Sequence, residues 1–96
     1  MSNLKIDSDS DGNKYWRNYA NQLHREDGPA CIYSTGTKSW YQNGKLHRLD
    51  GPAIERADGI RSYWINDQKL TETEWKSHPL RIQYIIRENL KSILND

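Results

Sequence analysis

An eight-residue phrase, written twice, constrains this chain more than any other feature. Leu23-His24-Arg25-Glu26-Asp27-Gly28-Pro29-Ala30 returns as Leu46-His47-Arg48-Leu49-Asp50-Gly51-Pro52-Ala53, with a single change at its fourth position. His24 to His47, Asp27 to Asp50 and Pro29 to Pro52 are all separated by 23 residues. A fixed period of that size marks a repeat array, in which each unit is one small supersecondary element stacked on the next.

The text between the copies is periodic as well. Aromatic doublets stand at Tyr15-Trp16, Trp40-Tyr41 and Tyr63-Trp64, and each is followed after one residue by an Asn. Asp-Gly at 11/12, 27/28, 50/51 and 58/59, Thr-Gly at 35/36 and Asn-Gly at 43/44 punctuate short runs rich in aromatic and β-branched residues, the pattern of hairpins. Strands are therefore expected near 14–18, 29–34, 37–42, 52–57 and 60–65. Consecutive strands this close must run antiparallel. The expected fold is mainly β, an antiparallel β-hairpin repeat meander with a carboxy-terminal α-helix.

Three segments follow from this reading. Residues 1–12 form a flexible acidic amino-terminal lead, 13–70 the hairpin repeats and 71–96 a helical cap. Thr71-x-x-Glu74 has capping-box spacing and opens a short helical turn carrying Trp75. Pro79 then introduces Leu80, Ile82, Ile85, Ile86, Leu90, Ile93 and Leu94 at the spacing of one helix face. Ile82, Ile86 and Leu90 are expected either to cover a sheet face or to meet a second copy. A short array has two open strand edges, so a two-fold homodimer through helices or edge strands is the expected assembly.

Net charge of +1, from 14 basic and 13 acidic residues, is no electrostatic footprint for nucleic acid and disfavours that class of partner. No apolar run reaches the length of a membrane span, and the expected location is the cytoplasm. The single Cys31 has no CxxC or Cys/His neighbourhood and reads as a reduced, buried thiol. Asp7, Asp9, Asp11 and Gly12 match the first half of a calcium loop. The closing Glu is absent, however, because Asn18 stands at its place. No metal or cofactor is expected.

His24, Arg25, Asp27, His47, Arg48 and Asp50 invite a catalytic reading, but a catalytic group is needed once and these recur with the period. They are assigned to repeat structure, with Asp bonding turn amides and His and Arg packing on aromatics or pairing with Asp. No phosphate loop or nucleophile elbow is present, and no enzyme is expected. Adjacent strand residues face opposite ways, so each doublet sends one ring to each side of the sheet. One column is expected to be Tyr15, Trp40 and Tyr63, the other Trp16, Tyr41 and Trp64. The first column, interleaved with Lys38, Arg61 and Gln42, is the candidate binding surface for a protein partner; the alternatives are a small ligand or nucleotide stacking on the rings and, third, single-stranded nucleic acid.

Tyr41-x-x-Gly44-x-x-His47 resembles the aromatic-x-x-Gly-x-x-His core of the MORN repeat. The fuller text from Gly36 to Ala53 is similar to the MORN-variant repeats of small bacteriophage and large-virus proteins. The likeness covers about residues 12–70 and departs from the family at His47-Arg48-Leu49-Asp50-Gly51, where a small His-Gly-x-Gly turn is usual. It implies a curved antiparallel sheet used as a scaffold or interaction surface, sometimes dimeric, with no enzymatic activity of its own. A phage setting implies an accessory protein that binds a host protein, an inhibitor of host defence. The family's association with membrane lipids finds no basic amphipathic stretch here to support it.

Overall fold

The computed structural model describes residues 4–94; Met1 to Asn3 of the amino-terminal lead, and Asn95 and Asp96 of the helical segment, lie outside the described residues. Among the described residues nine short strands precede two helices. The strands are β1 (Lys5–Ser8), β2 (Lys14–Arg17), β3 (Cys31–Ile32), β4 (Lys38–Ser39), β5 (Tyr41–Gln42), β6 (Lys45–Leu46), β7 (Ile54–Glu55), β8 (Arg61–Ile65) and β9 (Gln68–Leu70). The helices are α1 (Glu72–Lys76) and α2 (Pro79–Leu94). One sheet runs in the order β1-β2-β3-β4-β7-β8-β9, all pairs antiparallel, while β5 and β6 form a separate two-stranded hairpin. This is the antiparallel meander with a terminal helix that the punctuation predicts.

The turns divide into chemical types. Gly12, Gly36 and Gly59 have positive φ, and each donates its N–H back to residue i−3, the geometry of a type I turn closed by a left-handed residue. Asn43 and Gly44 both have positive φ, as do Asn66 and Asp67, so both pairs make tight primed turns. The Asp-Gly pairs at 27/28 and 50/51 depart from the hairpin reading: neither glycine has a positive φ. Their lack of a side chain serves a close approach instead. A Cβ on Gly28 would stand 2.8 Å from Arg25 Cζ, and one on Gly51 would stand 2.7 Å from Arg48 Cζ.

The amino-terminal lead is also corrected. Residues 5–8 are an edge strand in register with β2, Lys5 opposite Arg17 and Asp7 opposite Tyr15. The Asp9 carboxylate accepts from the Asp11 and Asn13 amides, from Asn13 Nδ2 and from the Tyr15 hydroxyl, and so closes the following turn. Those bonds hold its pKa below the usual carboxylate value, the Asn13 side chain being the largest cause. The acidic spacing that reads as half a calcium loop is here an Asx-closed turn.

Register fixes the two faces. Tyr15, Cys31, Ser39, Ile54 and Ser62 lie opposite one another across successive strands, and Lys14, Ile32, Lys38, Glu55 and Arg61 form the next row. Ala30, Cys31, Ser39, Ala53, Ile65 and Trp75 are buried. So small a core matches a mean hydropathy of -1.05, and much of the remaining order must come from specific polar and stacked contacts.

Candidate interaction surface

The aromatic columns differ from the expected ones. Tyr15 shares its row with Ser39 and Ser62, so the residue that follows each, Trp16, Trp40 and Tyr63, belongs to the opposite face. Trp16 N–H donates to the Ala30 carbonyl as Trp40 N–H donates to that of Ala53, which confirms the equivalence. The cause is one extra residue: seven residues separate Trp16 from His24, and six separate Trp40 from His47. The column is therefore Trp16, Trp40, Tyr63, with Tyr15 on the far face, its ring edge-to-face with Tyr33 at 6.3 Å.

Each ring of that column is covered by a planar group. Arg25 Cζ lies 4.2 Å from the Trp16 ring centre and Arg48 Cζ 3.8 Å from that of Trp40. Both guanidiniums are held in the same way. Arg25 Nε donates to Asp27 and its Nη1 to the Pro29 carbonyl, while Arg48 Nε donates to Asp50 and its Nη1 to the Pro52 carbonyl and to Glu55. At the third position no such phrase exists. Trp75 of α1 packs against Tyr63 instead, 4.8 Å between centres with the ring planes tilted by 42°, and Arg81 lies 4.3 Å over Trp75.

The histidines tie one unit to the next. His24 Nδ1 accepts from the Asn43 amide at 2.9 Å and His47 Nδ1 from the Asn66 amide at 3.2 Å, each fixing a left-handed turn in the following unit. Burial, with the charge of nearby His78 as the second cause, lowers the His47 pKa and favours the neutral imidazole that can accept.

The remaining predicted contact residues separate. Lys38 and Arg61 flank Glu55 and line a shallow depression of about 290 Å³ at the hairpin ends. Gln42 donates Nε2 to the Arg25 carbonyl at 2.7 Å. Together with Trp40, Arg25, Arg48, Tyr84 and Arg87, it lines an open groove of about 500 Å³ between the two Leu-His-Arg segments and α2. Because Arg48 already lies over the Trp40 ring and Trp75 against Tyr63, neither ring offers a base that face for stacking. Among the described residues no group of three or more His, Cys, Asp or Glu is placed to hold a metal ion.

The largest apolar feature is on α2, and here the expected sheet-covering role fails. No residue of α2 is buried; only Arg81, Tyr84 and Ile85 are half-buried against the body. Ile82, Ile86 and Leu90 are 44%, 54% and 51% exposed, and Ile93 and Leu94 more so. At 100° per residue, Arg81, Arg87, Glu88 and Lys91 fall within about 120° of arc, leaving Ile82, Ile86, Leu90 and Ile93 on the side away from Tyr84. The sheet end is closed by α1, whose Thr71 and Glu74 make the reciprocal capping box and whose Trp75 is buried. The apolar spacing gives the helix its stripe; it does not say which way the stripe points.

No family model, curated protein or solved structure matches the chain. No helix among the described residues is long and apolar enough to cross a membrane.

Proposed function

We propose that this chain is a non-enzymatic protein-binding module that delivers α2 as an amphipathic helix into an apolar groove on a partner. The observation that carries the reading is a 16-residue helix that buries none of its own residues while Ile82, Ile86 and Leu90 stand exposed at successive four-residue steps. Such i, i+4, i+8 anchors are what helix-in-groove recognition reads. The wide uncharged arc suits a groove that surrounds the helix better than a narrow two-helix seam. Fully burying one such side chain contributes about 1.5–3 kcal/mol, so the three anchors offset most of the cost of association and the groove's contacts with the flanking Ile93 and Leu94 supply the surplus.

The repeat body supplies the rigid support. Its phrase-to-phrase bonds satisfy the repeated His, Arg and Asp locally, which supports a structural role for them. The resemblance to MORN-variant repeats extends the proposal to a phage accessory protein acting in the host cytoplasm, whose partner is a host defence factor held inhibited by the docked helix.

The test uses the full chain and its Ile86→Asp and Leu90→Asp variants as bait in a bacterial lysate, followed by titration of the purified partner. The expected result is a partner retained by the wild type, lost at least tenfold in affinity by both variants, and displaced by a synthetic peptide of residues 79–94. Both variants should keep the wild-type melting temperature. A partner bound equally by variants and wild type would place the contact elsewhere and end this reading.

A further inference from the structure

A second surface lies at the β1 edge of the sheet, opposite the β9 edge against which α1 packs. In β2, the Trp16 N–H donates to Ala30 and its carbonyl accepts from His24, so the groups facing β1 belong to Tyr15 and Arg17. Their partners Asp7 and Lys5 turn their backbone groups inward, and by alternation Ile6 and Ser8 turn N–H and C=O toward the open edge. All four residues of β1 are exposed, Ile6 at 65%, and no strand among the described residues pairs with that edge.

We propose that β1 pairs with β1 of a second copy, antiparallel about a two-fold axis through Ile6, joining two sheets edge to edge. In this register Ile6 faces Ile6 as a hydrogen-bonded pair, and Lys5 of each copy faces Asp7 of the other. The Lys5–Asp7 positions are then non-hydrogen-bonded pairs, where Cα atoms approach to about 4.5 Å and opposite charges stabilise the ladder. Neighbouring registers are excluded by charge: centring on Asp7 opposes Asp7 to itself, centring on Lys5 opposes the two lysines, and centring on Ser8 brings Asp7 against Asp9. Asp7 pairs with Arg17 Nε at 3.6 Å on its own face yet keeps 58% of its side chain exposed, so the carboxylate can also meet a lysine across the edge.

Charges on an edge commonly blunt it. Here they disfavour the registers centred on Lys5, Asp7 and Ser8 against the one centred on Ile6, and the symmetric contact closes at two copies without leading to fibres. An edge of four residues buries far less than the roughly 1,600 Å² of a standard interface, so the dissociation constant falls on the order of 10–100 µM. The dimer would carry two α2 helices and make the module bivalent.

The experiment is sedimentation equilibrium of the full chain between about 1 µM and 1 mM, concentrations bracketing that range. Wild type should pass from 11.3 kDa to twice that mass. Lys5→Asp and Asp7→Lys should each weaken association at least tenfold, and an equimolar mixture of the two should restore it, because the hetero-pair regains both opposite-charge contacts. Ile6→Pro, which removes the outward N–H and the self-paired side chain while leaving the inward bonds of Lys5 and Asp7 to β2, should be monomeric with the circular dichroism of the wild type. A wild type that stays at 11.3 kDa up to 1 mM overturns the proposal, and so does a dimer that persists in both charge variants.

Discussion

Arg48 stands 3.8 Å over the centre of the Trp40 ring, and the space it occupies there exists because residue 51 has no side chain. The same pairing of Arg25 with Trp16 recurs one unit earlier, beside Gly28. The three atoms nearest a methyl group at position 51 all belong to the Arg48 guanidinium, so the first cost of Gly51→Ala is whatever Arg48 loses when it moves.

That loss comprises the contact with Trp40, the Asp50 and Glu55 pairs and the bond to the Pro52 carbonyl. Gly51→Ala is expected to destabilise by about 1–3 kcal/mol, the scale of a desolvated cation–π contact plus charged hydrogen bonds. Introduced into an Arg48→Ala background, the same change should cost under about 0.5 kcal/mol, because the two sites couple through one contact. Urea titration of the four proteins in the cycle decides. Additive losses would mean that Gly51 is needed for some other reason.

The His47 tether predicts a pH dependence. Its pKa is lowered in the folded chain, first by burial, so the unfolded state binds the proton at a higher pH than the folded state does. The tether's stability is fully present above the unfolded value of about 6.5 and is lost as pH falls through the lowered folded value. Asp9 and Asp58 are held below the usual 3.8 and so act at lower pH. Unfolding free energy should therefore drop between pH 7.5 and 5, and His47→Gln, which has no such proton to gain, should flatten that slope. An unchanged slope in the variant would remove His47 as its source.

How much of this was readable before the structure depended on what kind of signal carried it. The doubled phrase and its turn residues gave the meander, and apolar spacing after Pro79 gave the helix, because both are periodic consequences of backbone geometry. The column alignment was hidden by one extra residue before His24, which shifts a period-two pattern to the other face. A chemical hint was present, since aligning indole with indole pairs Trp16 with Trp40. The role of Gly28 and Gly51 lay in a contact three residues back, and a glycine's letter does not say whether it serves φ or space. Lys5-Ile6-Asp7 reads as a charged tail until β2 is seen beside it.

Cys31 gives a probe of opening. Its side chain is wholly buried, and burial raises its thiol pKa, so thiolate and access are both withheld in the folded state. Reaction with an aromatic disulfide reagent should be slower than in urea by at least about a hundredfold and should track the opening equilibrium as denaturant rises. Rapid labelling under native conditions would show that β3 and β4 separate locally.

The last prediction concerns how the array ends. After two Leu-His-Arg phrases the third position needs a planar group on Tyr63 and a donor for the Arg48 carbonyl, and Trp75 supplies both, its tilted ring packing at 4.8 Å and its Nε1 donating at 2.9 Å. In the preceding unit those two tasks fall to separate residues, Arg48 over Trp40 and Gln42 on the Arg25 carbonyl. Trp75→Ala removes the stack, the bond and the surface on which Arg81 rests, and should cost about 3–5 kcal/mol, a large share of the stability of a domain this size. Trp75→Phe keeps a ring against Tyr63 but leaves the Arg48 carbonyl without its indole donor, a loss of about 1–2 kcal/mol. The difference between the two variants separates stacking from hydrogen bonding, and both should lower amide protection in β8 and β9 before β2 and β3. If Trp75→Ala stays within about 1 kcal/mol of wild type, α1 is not what closes the sheet.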